Sequence, residues 1–319
     1  MILRSECPAC RAPVSLSVKL FDTGFWQGTC AVMRCSCGLV YKKSMPSQDD
    51  LANLYSEGYT HFQLSDDAAG PAEILSARQK LARACRFLPE TPPRGWRLLD
   101  VGCAAGTFVS IARQLGFQAE GLDEYLPENR QNEFLRRGGI DSLPTGSFDL
   151  VTLLNVAEHL VDPWPLLSGA YRLLRPGGVL LLTCPYGAGL ACRIYRNRWV
   201  HMTLDEHLLF WTPASLTRIL RAVGFQGPVD YRIAGSPFPY GRTGHSPRSL
   251  AGNPGKPLPE IMDPRQGLSG MTFWEDWQQR AWKIARWIQR REALANSIRA
   301  LVHWTRTGDY LEVAIGKGL

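Results

Sequence analysis

The sequence predicts an α/β protein built on a doubly wound, largely parallel sheet. From Trp96 onward, short apolar runs alternate with helical segments, the order typical of strands joined by crossover helices. The first apolar run, Leu98 to Val101, leads directly into a glycine-containing turn and then a helix. Cysteines cluster before this region, and a segment rich in tryptophan and arginine follows it. We therefore expect an α/β core with a small unit at its N-terminal end and a helical insertion near its C-terminal end.

Composition excludes several classes of protein. The chain has 319 residues, of which 45% are hydrophobic and 20% charged, enough to bury a large core and too apolar for global disorder. No run approaches the roughly 18 apolar residues of a membrane span. The segment from Met1 to Cys7 has no apolar signal region, so we expect a cytoplasmic protein. A net charge of +7 permits an anionic partner without indicating nucleic acid.

Five of the nine cysteines lie in the first 37 residues, in a unit (1–45) too short for its own hydrophobic core. In a cytosolic chain such clustering indicates metal binding more than disulfides, with unpaired thiols or redox chemistry as alternatives. The cysteines include two close pairs, Cys7 with Cys10 and Cys35 with Cys37. The second pair is separated by one residue where the usual Cys-x-x-Cys has two, so Cys30 could replace one of its members. Four thiolates leave no open position for water, so the zinc would be structural. The predicted zinc ligands are Cys7, Cys10, Cys35 and Cys37.

The remaining chain divides into four further parts. Residues 46–95 read as a helical linker or lid, with helices opening at Asp49 and running from Pro71 to Leu88. The core spans 96–237, the loop and helical insertion 238–305, and the last strand 306–319. The predicted core strands are 98–101, 119–122, 149–154, 178–182, 229–233 and 310–315, and the predicted helices are 107–115, 163–174 and 215–223.

The long helical pattern from Trp274 to Trp304 has an apolar side and many arginines. It admits three interpretations: packing on the core with a solvated basic face, a lid over the substrate, or a peripheral contact with a membrane surface.

The glycine-containing turn, Gly102 to Gly106, indicates a nucleotide-like ligand. About 20 residues later the second strand ends at Asp123, where a carboxylate can accept both hydroxyls of a ribose. A dinucleotide site would have a glycine where this chain has Ala104. Asp100 at the turn would repel a pyrophosphate but suits an ammonium or sulfonium group. These features favour S-adenosylmethionine over NAD.

At this point the sequence resembles class I S-adenosylmethionine-dependent methyltransferases, a family with a Rossmann-like fold. Leu98 to Phe108 matches the first motif of that family, and further matches follow in the same order over about 96–235 and the final strand. They are Gly146 to Val151, Glu158 to Pro163, Leu173 to Gly178, Asp205 to Leu208, Thr212 to Leu216 and Val223 to Phe225.

The resemblance implies a set of cofactor-binding residues at the carboxyl ends of the strands. The segment between Asp123 and Phe148 is short, so the third strand must be brief, and Asp141 is the polar residue best placed for the adenine. Cys103 is expected to be a small neighbour of the ligand and not a nucleophile. The implied cofactor-binding residues are Asp100, Gly102, Cys103, Ala104, Gly106, Thr107, Phe108, Asp123, Asp141, Asn155 and Val156.

A narrower resemblance is to bacterial methyltransferases that tailor sugars and antibiotics, especially the zinc-containing C-methyltransferases of deoxysugars. The matching positions on the substrate side are Asn155, His159, Glu206 and His207. Leu204 departs from the tyrosine of that pattern, and the family's extra C-terminal domain is missing.

Either imidazole suits a general base, because it titrates near neutrality. Glu206 would orient His207 or bind a substrate hydroxyl, and Tyr59 would belong to a lid over the cofactor. A capping role for His159, a structural His207 and a solvated Glu206 are the alternatives.

Three functions follow from this reading. The first is methyl transfer to a small molecule, a sugar or secondary metabolite of bacterial natural-product or glycan biosynthesis, with oxygen ranked ahead of carbon or nitrogen. The second is an RNA methyltransferase with a zinc ribbon, disfavoured because the fifth strand exits as Thr183-Cys184-Pro185-Tyr186 and the N-terminal basic residues are scattered. The third is a protein that keeps the fold but only binds.

Overall fold

The computed structural model describes residues 2–26, 28–55, 70–88, 95–235 and 308–318. Tyr59 and the tryptophan-rich helical segment lie outside these residues, so the expectations placed on them stay predictions. The described helices are α1 (Gln48–Leu54), α2 (Pro71–Cys85), α3 (Thr107–Gln114), α4 (Pro163–Leu173), α5 (Leu190–Tyr195), α6 (Val200–Thr203) and α7 (Pro213–Val223). Over the described ranges, no helix has the length and apolarity to cross a membrane.

The strands form two main sheets and one short pair. The N-terminal strands are β1 (Ile2–Leu3), β2 (Val18–Phe25), β3 (Gly28–Arg34), β4 (Val40–Lys42) and β5 (Ser44–Met45). The strands that follow in the core are β6 (Arg97–Val101), β7 (Gln118–Asp123), β8 (Leu135–Arg137), β9 (Phe148–Leu154), β10 (Leu174–Pro185), β11 (Leu209–Phe210), β12 (Val229–Ala234) and β13 (Tyr310–Gly316).

Within the described residues, seven strands form the core sheet in the order β12-β13-β10-β9-β6-β7-β8. Only β13 runs against its neighbours, pairing antiparallel with both β10 and β12, while the remaining pairs are parallel. The chain leaves β6 toward β7 and β8, then crosses back to place β9 on the other side of β6. Strand order therefore reverses at β6, and a ligand crevice is expected at the carboxyl ends of β6 and β9.

Both faces of this sheet are buried, as the predicted doubly wound architecture requires. Successive residues of a strand enter two different clusters: Leu99 and Val151 pack with α4 and α7, whereas Leu98 and Leu150 pack with α2 and α3. The α/β class is thus confirmed, and the brief third strand is β8.

Helix starts follow the local sequence. Asp162 caps α4 by accepting from the Trp164 amide, and Pro163 occupies its first turn. Thr212 and Ser215 form a reciprocal capping box on α7, again with a proline next to the cap. Such caps fix where each helix leaves the sheet edge, and so where the loops before α4 and α7 lie.

The N-terminal unit is joined to the core through a shared sheet. Its four-stranded sheet has the order β11-β4-β3-β2, and β11 comes from the core part of the chain. Leu209 pairs with Tyr41 and Phe210 with Val40. The two residues of β11 directly follow His207 and Leu208, so the unit contacts the candidate site through the backbone.

Candidate active site

The turn between β6 and α3 is held by backbone conformation that favours glycine. Gly102 and Gly106 both have positive φ, +75° and +79°. A Cβ on Gly102 would lie 2.5 Å from Val156 Cγ2, and one on Gly106 would lie 2.5 Å from Leu135 Cδ1. The glycines are therefore needed for packing of the turn against its neighbouring loops, in addition to the open backbone that the sequence suggested. Ala104, between them, is also left-handed at φ +46°.

Asp123 ends β7 beside this turn. Its Oδ2 accepts from the Ala104 amide at 3.0 Å and its Oδ1 from the Tyr125 amide at 2.9 Å. Burial raises the pKa of the Asp123 carboxyl, and the two amides oppose that rise. The carboxylate is thus fixed in orientation at the carboxyl end of its strand, where it can accept hydroxyls.

Asp100 is buried beneath the glycine turn and does not lie at its solvent-exposed surface, where the sequence suggested it would lie. Its side chain is buried, and Oδ1 accepts from Thr152 Oγ1 at 2.5 Å across to β9. Burial raises the pKa of Asp100 to about 7; the Thr152 hydrogen bond lowers it and the neighbouring Asp123 raises it further. The full negative charge that the sequence suggested at this point is present only above neutral pH.

The residues of this edge fit S-adenosylmethionine. Asp100 accepts from the Thr152 hydroxyl, and Asp123 accepts from two backbone amides. The carboxyl groups suit a ligand that brings a cation and ribose hydroxyls. They offer acceptors, whereas a pyrophosphate needs donors.

The other predicted cofactor residues surround the same turn, with one outlier. Cys103 is buried and would touch a Cβ placed on Gly121, and burial raises the pKa of its thiol, which agrees with a small apolar role. Thr107 and Phe108 open α3. Asp141 lies in a short 3-10 turn, Ile140–Ser142, and is exposed beyond the end of β8. Its contact with adenine stays a prediction.

The loop after β9 brings Asn155 and Val156 next to the turn. Asn155 has a left-handed backbone (φ +57°), its amide donates to Thr183 O, and its Oδ1 accepts from Thr183 Oγ1. Val156 fills the space above Gly102. This loop therefore links the glycine turn to the histidine that follows it.

His207 lies at the centre of a cluster of imidazoles. Its ring centroid is 5.0 Å from that of His159 and 5.5 Å from that of His201. His207 Nδ1 is 3.0 Å from the carbonyl oxygen of His201, which can only accept, so Nδ1 carries the proton and Nε2 keeps a free lone pair. Burial first, then His159, His201 and Lys42, holds the pKa of His207 well below its usual range. His207 is therefore neutral near pH 7, and its Nε2 carries the lone pair that can accept a proton; the same burial disfavours the imidazolium that proton uptake would form.

Glu158 completes the cluster as a buried acid. Glu158 Oε1 is 4.0 Å from His159 Nε2, and donor atoms of Glu158, His159 and His207 lie within 4.8 Å of one another. Burial raises the pKa of Glu158 to about 8. The carboxyl is then mostly protonated at neutral pH, so we treat its contact with His159 as a polar neighbour and not as an ion pair.

Tyr55 bridges the two sides of the site. Its hydroxyl is 2.8 Å from His159 Nδ1, and its ring stacks on that of Tyr125 with centroids 4.7 Å apart. Tyr125 follows directly after Asp123, so Tyr55 connects the cofactor edge to the imidazole cluster. Sequence reasoning gave no role to Tyr55 and assigned the lid to Tyr59.

Glu206 precedes His207 in the turn between α6 and β11 and is half-buried. Burial raises the pKa of Glu206, Asp205 raises it further, and Lys42 lowers it. The position of Glu206 is thus compatible with a role toward the acceptor, and the solvated carboxylate stays the alternative.

The four predicted zinc ligands come together. Cys7 Sγ lies 3.7 Å from Cys37 Sγ and Cys10 Sγ 3.5 Å from Cys35 Sγ, and all four sulfurs lie within 4.8 Å of one another. Tetrahedral zinc with bonds of ~2.3 Å would place its sulfurs about 3.8 Å apart, so the set fits a metal ion. Cys30 lies outside this group: its sulfur accepts from the Ser44 amide and donates to Ala31 O. The alternative in which Cys30 replaces a ligand is not supported.

Known proteins similar to this chain include methyltransferases. Residues 75–227 match a family model described as a methyltransferase domain. A ubiquinone biosynthesis O-methyltransferase of Dinoroseobacter shibae is 29% identical over 172 residues, which cover 48% of this chain and 69% of the relative. The one from Xanthomonas axonopodis pv. citri is 28% identical over 180 residues, covering 50% and 74%. Among solved structures, an S-adenosylmethionine-dependent methyltransferase of Archaeoglobus fulgidus is 18% identical with a TM-score of 0.45, covering 81% of this chain and 99% of that one.

Proposed function

We propose that this S-adenosylmethionine-dependent methyltransferase transfers a methyl group to a hydroxyl of a small molecule. The class of enzyme follows from the matched methyltransferase domain and from relatives named O-methyltransferases. The observation that carries the proposal is His207, a buried imidazole whose Nδ1 faces His201 O and whose Nε2 is left to accept a proton. Its ring lies 5.0 Å from that of His159, which Tyr55 connects to Tyr125 beside Asp123. We place the acceptor between His207 and the loop that carries Asn155 and His159.

When bound, the cofactor supplies an activated methyl group for direct displacement. The chain must hold the acceptor about 3–3.5 Å from that methyl carbon and exclude water. A hydroxyl must also lose its proton, and His207 Nε2 is placed to receive it. His159 is the second candidate, since its Nδ1 is occupied by Tyr55. Glu206 would bind a further hydroxyl of the acceptor.

Oxygen ranks ahead of nitrogen and carbon as the methylated atom. A neutral amine can attack without a base, so a base buried to stay neutral is most useful for a hydroxyl or an activated carbon. The relatives are named for transfer to oxygen. The match to the sugar C-methyltransferases is weakened by Leu204, which stands where those enzymes have a tyrosine.

We propose a sugar or secondary metabolite of bacterial natural-product or glycan biosynthesis as the acceptor class.

The basic residues of the N-terminal unit argue against an RNA grip. Arg4 and Lys42 are buried and donate to backbone carbonyls, Arg11 pairs with Glu6 and Asp162, and Lys19 pairs with Asp22. Arg4 and Lys42 are therefore not available to phosphates, and the exposed Arg11 and Lys19 are paired with acids, whereas Arg34 is exposed. The unit thus presents few unpaired cations for a phosphate backbone. We propose instead that the four cysteines hold a structural zinc ion.

The test uses S-adenosylmethionine with a deuterated methyl group. Purified protein would be incubated separately with small metabolites, total RNA and protein from a strain lacking the gene, and mass spectrometry would locate the label. We expect label in one small molecule, and fragmentation should place it on oxygen. Label in RNA would contradict the proposal and recast the cysteine unit as a nucleic-acid grip. Bound cofactor without label in any pool would favour a protein that only binds.

A further inference from the structure

We infer that Lys42 is a positioning residue, whose buried ammonium holds the loop that carries Glu206 and His207. We call residues 204–208 the acceptor loop. The inference rests on the proposed function, because it assigns His207 to the acceptor side. It extends that function by making the N-terminal cysteine unit part of the apparatus that places the base.

Lys42 binds both ends of the acceptor loop. Its Nζ donates to Leu204 O at 2.7 Å, at the start of the loop, and its backbone amide donates to Leu208 O at 2.9 Å, at the end. Glu206 and His207 lie between these two anchors. One residue of β4 therefore fixes the loop by side chain and backbone together.

Two further contacts confine the same loop. The Trp26 amide, in the turn between β2 and β3, donates to Asp205 Oδ1 at 2.8 Å. From the core side, the amides of Leu208 and Leu209 donate to Glu158 O at 2.7 and 3.0 Å. The acceptor loop is thus held between the N-terminal unit and the loop that carries His159, which sets the distance between the two imidazoles.

A buried lysine destabilises the fold by desolvation of its ammonium unless that group is engaged by polar partners. Lys42 is fully buried, and burial lowers the pKa of its ammonium to about 8, although Asp205 and Glu206 raise it. An apolar side chain of similar length would avoid that desolvation. The ammonium is satisfied by Leu204 O and by the face of the Phe25 ring, 4.8 Å from Nζ. These partners point to a role in holding the loop, beyond filling space in the core.

Arg4 ties Lys42 to the rest of the site. Its Nε donates to Lys42 O at 3.2 Å and its Nη1 to Val161 O at 2.7 Å, on the loop after His159. The unit therefore contacts both loops that carry the imidazoles. Loss of the unit's fold should loosen the acceptor loop while β6, β7 and the glycine turn remain in place.

The test compares Lys42→Met with Lys43→Met, the adjacent lysine, in the full-length chain. Hydrogen exchange followed by mass spectrometry needs no acceptor. We expect amide exchange in peptides covering 204–210 to rise about tenfold or more in Lys42→Met. Peptides covering 97–123 should be unchanged, and Lys43→Met should match wild type throughout.

Kinetics then separate positioning from stability. With the acceptor found by label transfer, Lys42→Met should lower kcat about tenfold or more, while the Kd for S-adenosylmethionine stays within twofold. If Lys42→Met fails to fold, Asp205→Ala removes the tie to Trp26 and should give the same pattern in milder form. Unchanged exchange at 204–210, or equal losses of kcat and cofactor affinity, would overturn the inference. Absence of transfer by the wild type would instead overturn the proposed function and leave the exchange result standing.

Discussion

At the scale of single residues, we propose that the site separates into a cofactor edge and an acceptor edge. Asp123 and Asp100 belong to the first, and His207 and Glu206 to the second. Tyr55 contacts both edges through Tyr125 and His159. Because Tyr55 closes α1, the segment before the core takes part in the site even though its other predicted tyrosine, Tyr59, lies outside the described residues.

We predict that Asp123→Asn weakens S-adenosylmethionine binding about tenfold to a hundredfold, because an amide cannot accept two ribose hydroxyls through both of its atoms. Calorimetric titration would measure the Kd. Asparagine keeps the shape of the side chain, but its NH₂ group replaces an oxygen that accepts from the Ala104 or the Tyr125 amide, so the thermal midpoint should also fall. The Kd is therefore compared at a temperature where both proteins are fully folded. Glu124→Gln, at the exposed neighbouring acid, is the matched control and should bind as wild type. An unchanged Kd in Asp123→Asn would contradict the ribose assignment.

Sequence reasoning proposed residues that the structure brings near one another, but it did not predict their surroundings. The glycine turn and Asp123 could be predicted because the spacing of strand, turn and second strand is local. The burial of Glu158 and the histidine at 201 could not, since both depend on packing between loops far apart in the chain. Burial, in turn, decides which form of each titratable group exists at neutral pH.

At the scale of elements, five of the six predicted core strands lie within one residue of their observed bounds, whereas β10 is longer than the predicted 178–182. The strands β2 and β3 of the N-terminal unit were not predicted. β11 was not, because two residues carry no periodicity and its partner Tyr41 is more than 160 residues earlier in the sequence. The strand direction of β13 likewise depends on how the chain returns to the sheet. Sequence patterns identify elements, but pairing over such separations is set by tertiary packing.

We predict that the purified protein holds one zinc ion per chain and that Cys37→Ser abolishes retention of the metal. Removing one of the four thiolates sharply lowers the affinity for zinc, and loss of the metal removes its contribution to the free energy of folding. Cys30→Ser is the matched control, since the Cys30 sulfur is engaged by Ser44 and Ala31. Elemental analysis would measure the zinc content of both variants, and thermal melts would measure their stability. Full metal content in Cys37→Ser, or its loss in Cys30→Ser, would show that the ligand set is wrong.

At the scale of the whole molecule, buried acids make stability depend on pH. The raised pKa of Glu158, about 8, means that the native state binds this proton more tightly than the unfolded chain. Its contribution to stability is therefore fully present below about pH 4.5 and is lost as pH rises through about 8. His159, His207, Cys184 and Glu206 face the same carboxyl.

We predict that Glu158→Gln flattens this dependence, because an amide has no proton to lose. Between pH 6 and pH 9 the thermal midpoint of the wild type should fall relative to that of the variant. Lys42 and Asp100 also titrate in this range, but they are present in both proteins and cancel in the difference. Glu128→Gln, at an exposed acid, should run parallel to wild type. Parallel curves for Glu158→Gln as well would mean that Glu158 is not a buried neutral acid.

The most direct test of the whole account is turnover and cofactor affinity measured together in His207→Gln. Glutamine keeps a polar side chain of similar reach but cannot take up a proton at neutral pH. We predict that kcat for the labelled acceptor falls about 10²- to 10⁴-fold, the usual worth of a general base, while the Kd for S-adenosylmethionine stays within twofold. Equal losses in kcat and affinity would place His207 in the cofactor site or the fold. An unchanged kcat would remove the base from the mechanism.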